Sequence, residues 1–262
     1  MADWIDFEIE CTNYLNDRFR SYAHFIHQGG ADSTVPDILV ETNHGNSFYM
    51  DAKHSPAQCG QFVLLPNLSS RTFEYSQKNV NHINIYAEKI IAHMNSQFDE
   101  FREAGTAGKD IIMEDDSSIF SNWIIQTYRE KGVAFFITNH YTILPIDRFR
   151  EYFDVTAKYR IKRSGSNSVG KSQLAPVLNY IESHYTIHDS RMEGNKLFVT
   201  SDDNLHNLRF LLGDYEYMFS LRDREYEIRK LSNTYNANVI FSIKLIAKQP
   251  GLSDESFIRW LS

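Results

Sequence analysis

The chain has 262 residues, 42% hydrophobic and 14% aromatic, enough to bury a sizeable core, which excludes an intrinsically disordered protein. Its formal net charge of −7 argues against a protein that coats nucleic acid through general electrostatics. No apolar run approaches the roughly 20 residues of a membrane span, MADWIDFEIE lacks the pattern of a secretory signal, and Cys11 and Cys59 stand in no metal or disulfide spacing, so a soluble cytoplasmic protein is expected.

Trp4, Phe7, Cys11 and Leu15 recur at helical spacing and predict an amphipathic helix over residues 3–16. The stretch PDILVETNHGNSFYMDAK, residues 36–53, reads as a strand, an NHGN turn and a second strand. Ile83, Ala87, Ile90, Ile91, Met94, Phe98 and Phe101 mark one long helix with a single apolar face. SIFSNWIIQTYREKG predicts a shorter helix stopped by Gly132. VAFFIT and YTILPI read as strands, and DRFREYF as a turn or two of helix.

Past residue 154 the texture becomes strand-rich: TAKYRIKR, KLFVTS, EYMFSLR, YEIRKLS and NVIFSIKLI are separated by polar turns, with one helix near Pro176–Tyr185. The expected class is α/β (α+β), a mixed sheet flanked by helices over 1–153 and a strand-rich region over 154–262. Charge is uneven too. Acid gathers over residues 99–116, whereas Thr156 to Tyr180 holds Lys158, Arg160, Lys162, Arg163 and Lys171 and no acid. Such a basic stripe suits a partner bound in a defined cleft, although a solvated loop has the same composition.

Side chains alternate along a strand, so Asp51 and Lys53 point to one face and Ala52 to the other. Pairing through the NHGN turn brings Asp37 beside Asp51. Two adjacent carboxylates repel, and without a cation one of them tends to hold a proton. Mg²⁺ resolves this, because it takes one or two carboxylates with waters and phosphate oxygens, and the Ala52 carbonyl offers a further ligand. Lys53 beside such an ion can orient or help deprotonate an attacking water and balance charge developing on phosphate. Glu8, on the first helix, either reaches this cluster or is an ordinary surface glutamate. Gln58 and Gln61 either position the scissile phosphate or water, or lie on a helix surface. His24 and His27, in HFIH, raise a zinc reading that has no third ligand at supporting spacing.

GSNSVGKS, residues 165–172, satisfies the phosphate-cradling pattern G-x-x-x-x-G-K-[ST] and offers a nucleotidase reading through Lys171. Against it, the strand before such a loop is buried in a parallel sheet and almost wholly apolar, whereas YRIKR is heavily charged. The alternative is a basic loop whose Lys171 meets some other phosphate.

The acid, acid-x-Lys arrangement is the PD-(D/E)xK nuclease signature, and longer blocks narrow the likeness. CGQFVLLPN (59–67), FEYSQKNVNHIN (73–84), YRIKRSGS (159–166) and LSNTYNANVIFSI (231–243) resemble, in order, the HhaI-like type II restriction endonucleases. The resemblance runs over nearly the whole chain and is weakest between about 172 and 222. It implies Mg²⁺-dependent cleavage of double-stranded DNA at a short palindrome, GCGC in that family, with Ca²⁺ supporting binding without cleavage. It also implies a cognate cytosine methyltransferase as functional partner and a monomer acting sequentially, with a dimer as the alternative.

The family's catalytic set falls on Asp37, Asp51 and Lys53. The second acid is Asp here where the family has Glu, and the hairpin loop is slightly longer. Residues 1–153 are then the catalytic core and 154–262 the DNA-recognition region. Arg160, Lys162 and Arg163 with Ser164 and Ser166 have the chemistry to read guanine or hold phosphate. Asn233, Thr234, Tyr235, Asn236 and Asn238 offer short polar groups to bases or phosphates, and Lys171 and Lys230 to phosphates; ordinary turn chemistry is the plainer reading of the asparagines. Two further readings stand beside restriction: a nuclease of the same superfamily without strict sequence choice, acting in repair or junction resolution, and a DNA-binding protein with an inactive core.

Overall fold

The computed structural model describes residues 3–29, 35–163, 165–246 and 250–262. It forms two compact units, Met1–Arg160 with Ala237–Ser262, and Ile161–Asn236. This partition differs from a single break near residue 154. The last strand and helix return to the first unit, because their apolar residues complete its two cores.

In chain order the first unit opens with α1 (Asp3–Phe19), β1 (Ala23–His27), β2 (Ile38–Thr42), β3 (Ser47–Lys53), β4 (Ala57–Asn67) and β5 (Thr72–Tyr75). It continues with α2 (Ile85–Ser96), α3 (Phe98–Arg102), β6 (Lys109–Ile111), α4 (Asp116–Glu130), β7 (Val133–Thr138), β8 (Thr142–Pro145), α5 (Phe149–Tyr152) and β9 (Phe153–Arg163). The second unit carries β10 (Ser166–Ser168), α6 (Leu174–His184), β11 (Asp189–Glu193), β12 (Lys196–Thr200), β13 (Arg209–Leu212), β14 (Tyr215–Arg222) and β15 (Glu225–Leu231). The chain returns along β16 (Tyr235–Leu245) and ends in α7 (Asp254–Leu261).

The first sheet has the order β1-β2-β3-β7-β8. The β1–β3 strands form an antiparallel meander, and β7 then joins β3 in parallel after the α4 crossover. Cys11, Leu15 and Phe19 recur every fourth residue of α1 and bury one stripe against Phe25, Ile38, Val40, Met50, Ala52 and Phe135 of this sheet. Phe257 of α7 closes the same core, its ring 5.0 Å from Phe19 and 5.3 Å from Phe135. A buried aromatic of this kind contributes roughly 3–5 kcal/mol against truncation to Ala. The Ser253 hydroxyl caps α7 by accepting from Ser256 N–H, which fixes where that helix starts.

The second sheet has the order β5-β4-β16-β9-β6. Its inner face stacks Phe241 of β16 on Trp123 of α4, with ring centroids 4.3 Å apart. The predicted long helix is two helices. Gln97 leaves helical geometry (φ −126°, ψ 37°), and the break turns Phe98 onto Phe73, 5.0 Å away, and Phe101 toward Tyr159, 6.3 Å away. Gln58 and Gln61 lie on a strand, β4, and not on a helix. His24 and His27 lie on β1, where their odd spacing sends the two rings to opposite faces.

The second unit is an antiparallel sheet, β11-β12-β15-β14-β13, with β10 beside β15. α6 lays Val177 and Ile181 into a core with Leu197, Phe219 and Ile228. The glycine-rich stretch 165–172 therefore surrounds a three-residue antiparallel strand, and a 3₁₀ turn at Lys171–Gln173 precedes α6. That is not the parallel strand, loop and helix of a nucleotide-binding cradle, and the nucleotidase reading has no support from this geometry.

Both thiols, Cys11 and Cys59, are fully buried, and burial together with nearby acids pushes each up to about 12. A native-state thiol titration at pH 8 is expected to count none, and the same titration in denaturant to count both. Reaction of either thiol at the rate of a free cysteine would show that the packing around α1 or β4 is wrong.

Candidate active site

Two strands and a turn build the site. Ile38 pairs with Met50 across β2 and β3, which carries Asp37, the residue before β2, alongside Asp51. Asp37 is held at both ends. Its carbonyl accepts from Gln28 N–H and Gly29 N–H at 2.8 and 3.1 Å, and its Oδ2 accepts from Ala52 N–H at 2.8 Å. Lys53 lies opposite Thr138 of β7, whose hydroxyl donates to the Lys53 carbonyl at 2.6 Å. Asn139 then clamps Ser55, accepting from its N–H at 2.7 Å and donating to its carbonyl at 3.0 Å.

The structure thus brings Asp37, Asp51 and Lys53 together. Lys53 Nζ contacts Asp51 Oδ2, lies 3.6 Å from Asp37 Oδ2, and donates to the Ala52 carbonyl at 3.3 Å. The three side chains are 13%, 5% and 15% exposed, for Asp37, Asp51 and Lys53. Burial pushes Asp51 up to about 7, with Lys53 opposing this and Asp37 adding to it. Burial also disfavours the Lys53 ammonium, but Asp51 and Asp37 outweigh it and the lysine is raised. In the metal-free protein Lys53 is a firmly held cation and not a base.

Sequence reasoning missed the groups around this cluster. The Tyr128 ring lies 5.8 Å from Lys53 Nζ and 5.5 Å from Lys131 Nζ, within cation–π reach of both. Lys131 is lowered by burial and by the neighbouring Lys53, against the pull of Asp51. Thr138 and Asn139 directly follow VAFFIT, but only the parallel β3–β7 register, invisible in the sequence, gives them their task.

Glu8 is buried and accepts from or donates to His27 Nε2 at 3.1 Å according to the imidazole tautomer and the carboxyl proton. It therefore acts on the site at one remove, through the β1 end that anchors the Asp37 carbonyl. Among the described residues no group of three or more His, Cys, Asp and Glu is placed to hold a metal. Among the described residues, the oxygens that converge here are those of Asp37, Asp51 and the Ala52 carbonyl. Gln58 and Gln61 are exposed and face each other, with Gln58 Nε2 donating to Gln61 Oε1 at 3.4 Å.

The expected DNA-reading residues are shared between the two units. Arg160 and Asn238 belong to the first unit, and the others to the second. Asn238 is buried, with Oδ1 lacking a hydrogen-bond partner. Arg163 is already engaged, pairing with Glu216 and donating to the Tyr235 hydroxyl at 3.1 Å. Ser166 receives two bonds from Arg229, and Lys230 Nζ sits 3.2 Å from the Tyr215 ring centroid. Asn233 donates to the Asp214 carbonyl at 3.2 Å, and Thr234 bonds Ser232. Lys162, Lys171 and Asn236 are exposed, and Ser164 lies outside the described residues.

No family model and no curated protein matches the chain. A solved structure of HhaI endonuclease in complex with DNA matches with a TM-score of 0.78 and 38% identity, covering 98% of this chain and 97% of that one. The chain belongs to the HhaI restriction endonuclease family. The HhaI-like fold makes it a type II restriction endonuclease, a site-specific deoxyribonuclease. Among the described residues no helix is long and apolar enough to cross a membrane.

A Cβ on Gly29 would fall 2.1 Å from Glu8 Oε2 and 2.7 Å from His27 Nε2. Gly29→Ala is therefore expected to expel the Glu8–His27 pair and shift the Asp37 anchor, lowering the single-turnover cleavage rate roughly 10- to 100-fold with the fold retained. Parental cleavage rates in a well-folded Gly29→Ala variant would limit this pair to packing.

Proposed function

We propose that the protein cuts double-stranded DNA with Mg²⁺ at a short palindrome, GCGC by likeness to its relative, using Asp37, Asp51 and Lys53. The observation that carries this is the convergence of one buried and one part-buried carboxylate, a backbone carbonyl and one ammonium at the end of a β-hairpin. The donor set fits the ion: all three oxygens are hard ligands, and Asp51 Oδ2 is buried and contacts the Lys53 ammonium. DNA as substrate rests on the complex in which the HhaI relative was solved.

Asp37, Asp51 and the Ala52 carbonyl hold the ion. Mg²⁺, when bound, polarises the scissile phosphate and lowers the pKa of an attacking water. Lys53 presents its proton-bearing Nζ toward charge developing on phosphate. Ala52 N–H keeps the Asp37 carboxylate aimed, so little reorganisation is left for the moment of reaction. The second unit supplies base and phosphate contacts through Lys162, Arg163, Ser166, Lys171, Lys230 and residues 233–236, with Arg163 exchanging Glu216 for DNA. One catalytic set per chain is read as a monomer cutting the two strands in succession, in the cytoplasm, with host sites protected by a cognate cytosine methyltransferase.

Asp37→Ala and Lys53→Ala are expected to bind target duplex in Ca²⁺ but to lose cleavage in Mg²⁺ by about 10³-fold or more. Full activity in both would remove these residues from the mechanism. A plasmid digest with the parental chain separates the readings: discrete bands support restriction, and a smear supports a nuclease without strict sequence choice.

The raised Asp51 carboxyl adds a pH test. Below about 7 it holds a proton that metal binding must displace, and above about 7 it does not. The Mg²⁺ concentration for half-maximal cleavage should fall as pH rises from about 5.5 to about 7.5, then level off. A half-maximal concentration that stays flat across this range would show that Asp51 is ionised throughout.

A further inference from the structure

The outward face of the second sheet carries a hollow of about 370 Å³, lined by Gln58, Asp110, Thr156, Lys158, Arg160, Ile240 and Ser242. All of these residues lie in the first unit. Strand alternation builds it. Phe153, Val155, Ala157 and Tyr159 of β9 point into the core, so Thr156, Lys158 and Arg160 emerge together on the other side. Ser242 of β16 pairs directly with Gln58 of β4, which places those two on the same face.

The two cations are held in place. Gly108 lies beneath both stems, and a Cβ there would come within 2.9 Å of Lys158 Cγ and Cδ and 3.0 Å of Arg160 Cβ. Lys158 Nζ is paired with Asp110 at 3.3 Å, its cross-strand partner on β6. Arg160 Nε is buried and has no hydrogen-bond acceptor among the described residues. An open, shallow surface of hydroxyls, amide and cations suits an extended polyanion better than an enclosed small molecule.

We infer that this face is a track for the DNA sugar-phosphate backbone, on which Lys158 leaves Asp110 to take a phosphate oxygen beside Arg160. The inference rests on the proposed DNA-cutting function and adds a phosphate contact to it. Asp110 is the stand-in anion. It holds Lys158 extended over Gly108 in the free protein, and DNA phosphate replaces it. Because the contact is to backbone, it carries affinity and no sequence choice.

The test measures duplex affinity of the full chain by fluorescence anisotropy in Ca²⁺ across a salt series, on target and non-target duplexes. Lys158→Ala is expected to weaken both equally and to make the log-affinity against log-salt slope shallower by about 0.9, one phosphate's worth. Lys158→Arg should restore the slope. Asp110→Asn should tighten binding, and that gain should vanish in the Lys158→Ala background, because the carboxylate acts only through this lysine. Inorganic phosphate at matched ionic strength should compete no better than chloride; specific competition would make the hollow a small-anion site and overturn the track. If the parental chain cuts DNA but Lys158→Ala keeps the parental slope, this inference falls alone. If the parental chain neither binds nor cuts duplex, the DNA-cutting reading falls with it. Thermal melting of each variant reports whether the sheet survives.

Discussion

Two carboxylates fixed beside each other with little water is the constraint from which the rest of the site follows. At an effective dielectric near 20, like charges about 4 Å apart repel by about 4 kcal/mol, and burial adds to this. Asp37 and Asp51 cannot drift apart, because backbone donors grip the first at both ends and the β2–β3 register sets the second. The protein meets the strain with Lys53, whose ammonium occupies the space a cation would claim. Breaking such a buried pair by removing one partner typically costs 3–5 kcal/mol. The same lysine is therefore the structural counter-ion of the pair and, on the proposed mechanism, the source of positive charge toward phosphate.

A similar logic runs through the basic residues. An enzyme of net charge −7 that acts on a polyanion cannot rely on its overall field. Several of its arginines and lysines are paired with local acids, Arg163 with Glu216, Arg229 with Glu227, Arg191 with Glu225 and Lys158 with Asp110. On the reading proposed above, Lys158 and Arg163 exchange their acids for phosphate, a swap close to neutral in charge count.

How much of this was legible in the sequence depends on the range of the interaction. The acid pair and the lysine were readable because alternation along one strand and a four-residue turn are local rules. The α1 stripe of Cys11, Leu15 and Phe19 follows the same helical arithmetic. Thr138 and Asn139 were opaque, since their roles depend on a parallel pairing across the α4 crossover. The break at Gln97 was hidden for a related reason: the apolar period continues through it, and only the rings of Phe73 and Tyr159 show why the helix must bend there. The grouping of Arg160, Lys162 and Arg163 did not reveal that an odd step along β9 sends Arg163 to the opposite face from Arg160 and Lys162. The composition change near residue 154 was real, but it could not disclose that β16 and α7 go back to the first core.

That return has an architectural consequence. Residues 161–236 leave along β9 and rejoin along β16, which are neighbours in one sheet, so the stretch is an insert with both ends anchored in the same framework. An insert of this kind can change in length or sequence while the β2–β3 hairpin, Lys53 and both flanking cores stay intact, provided the two exit strands keep their spacing.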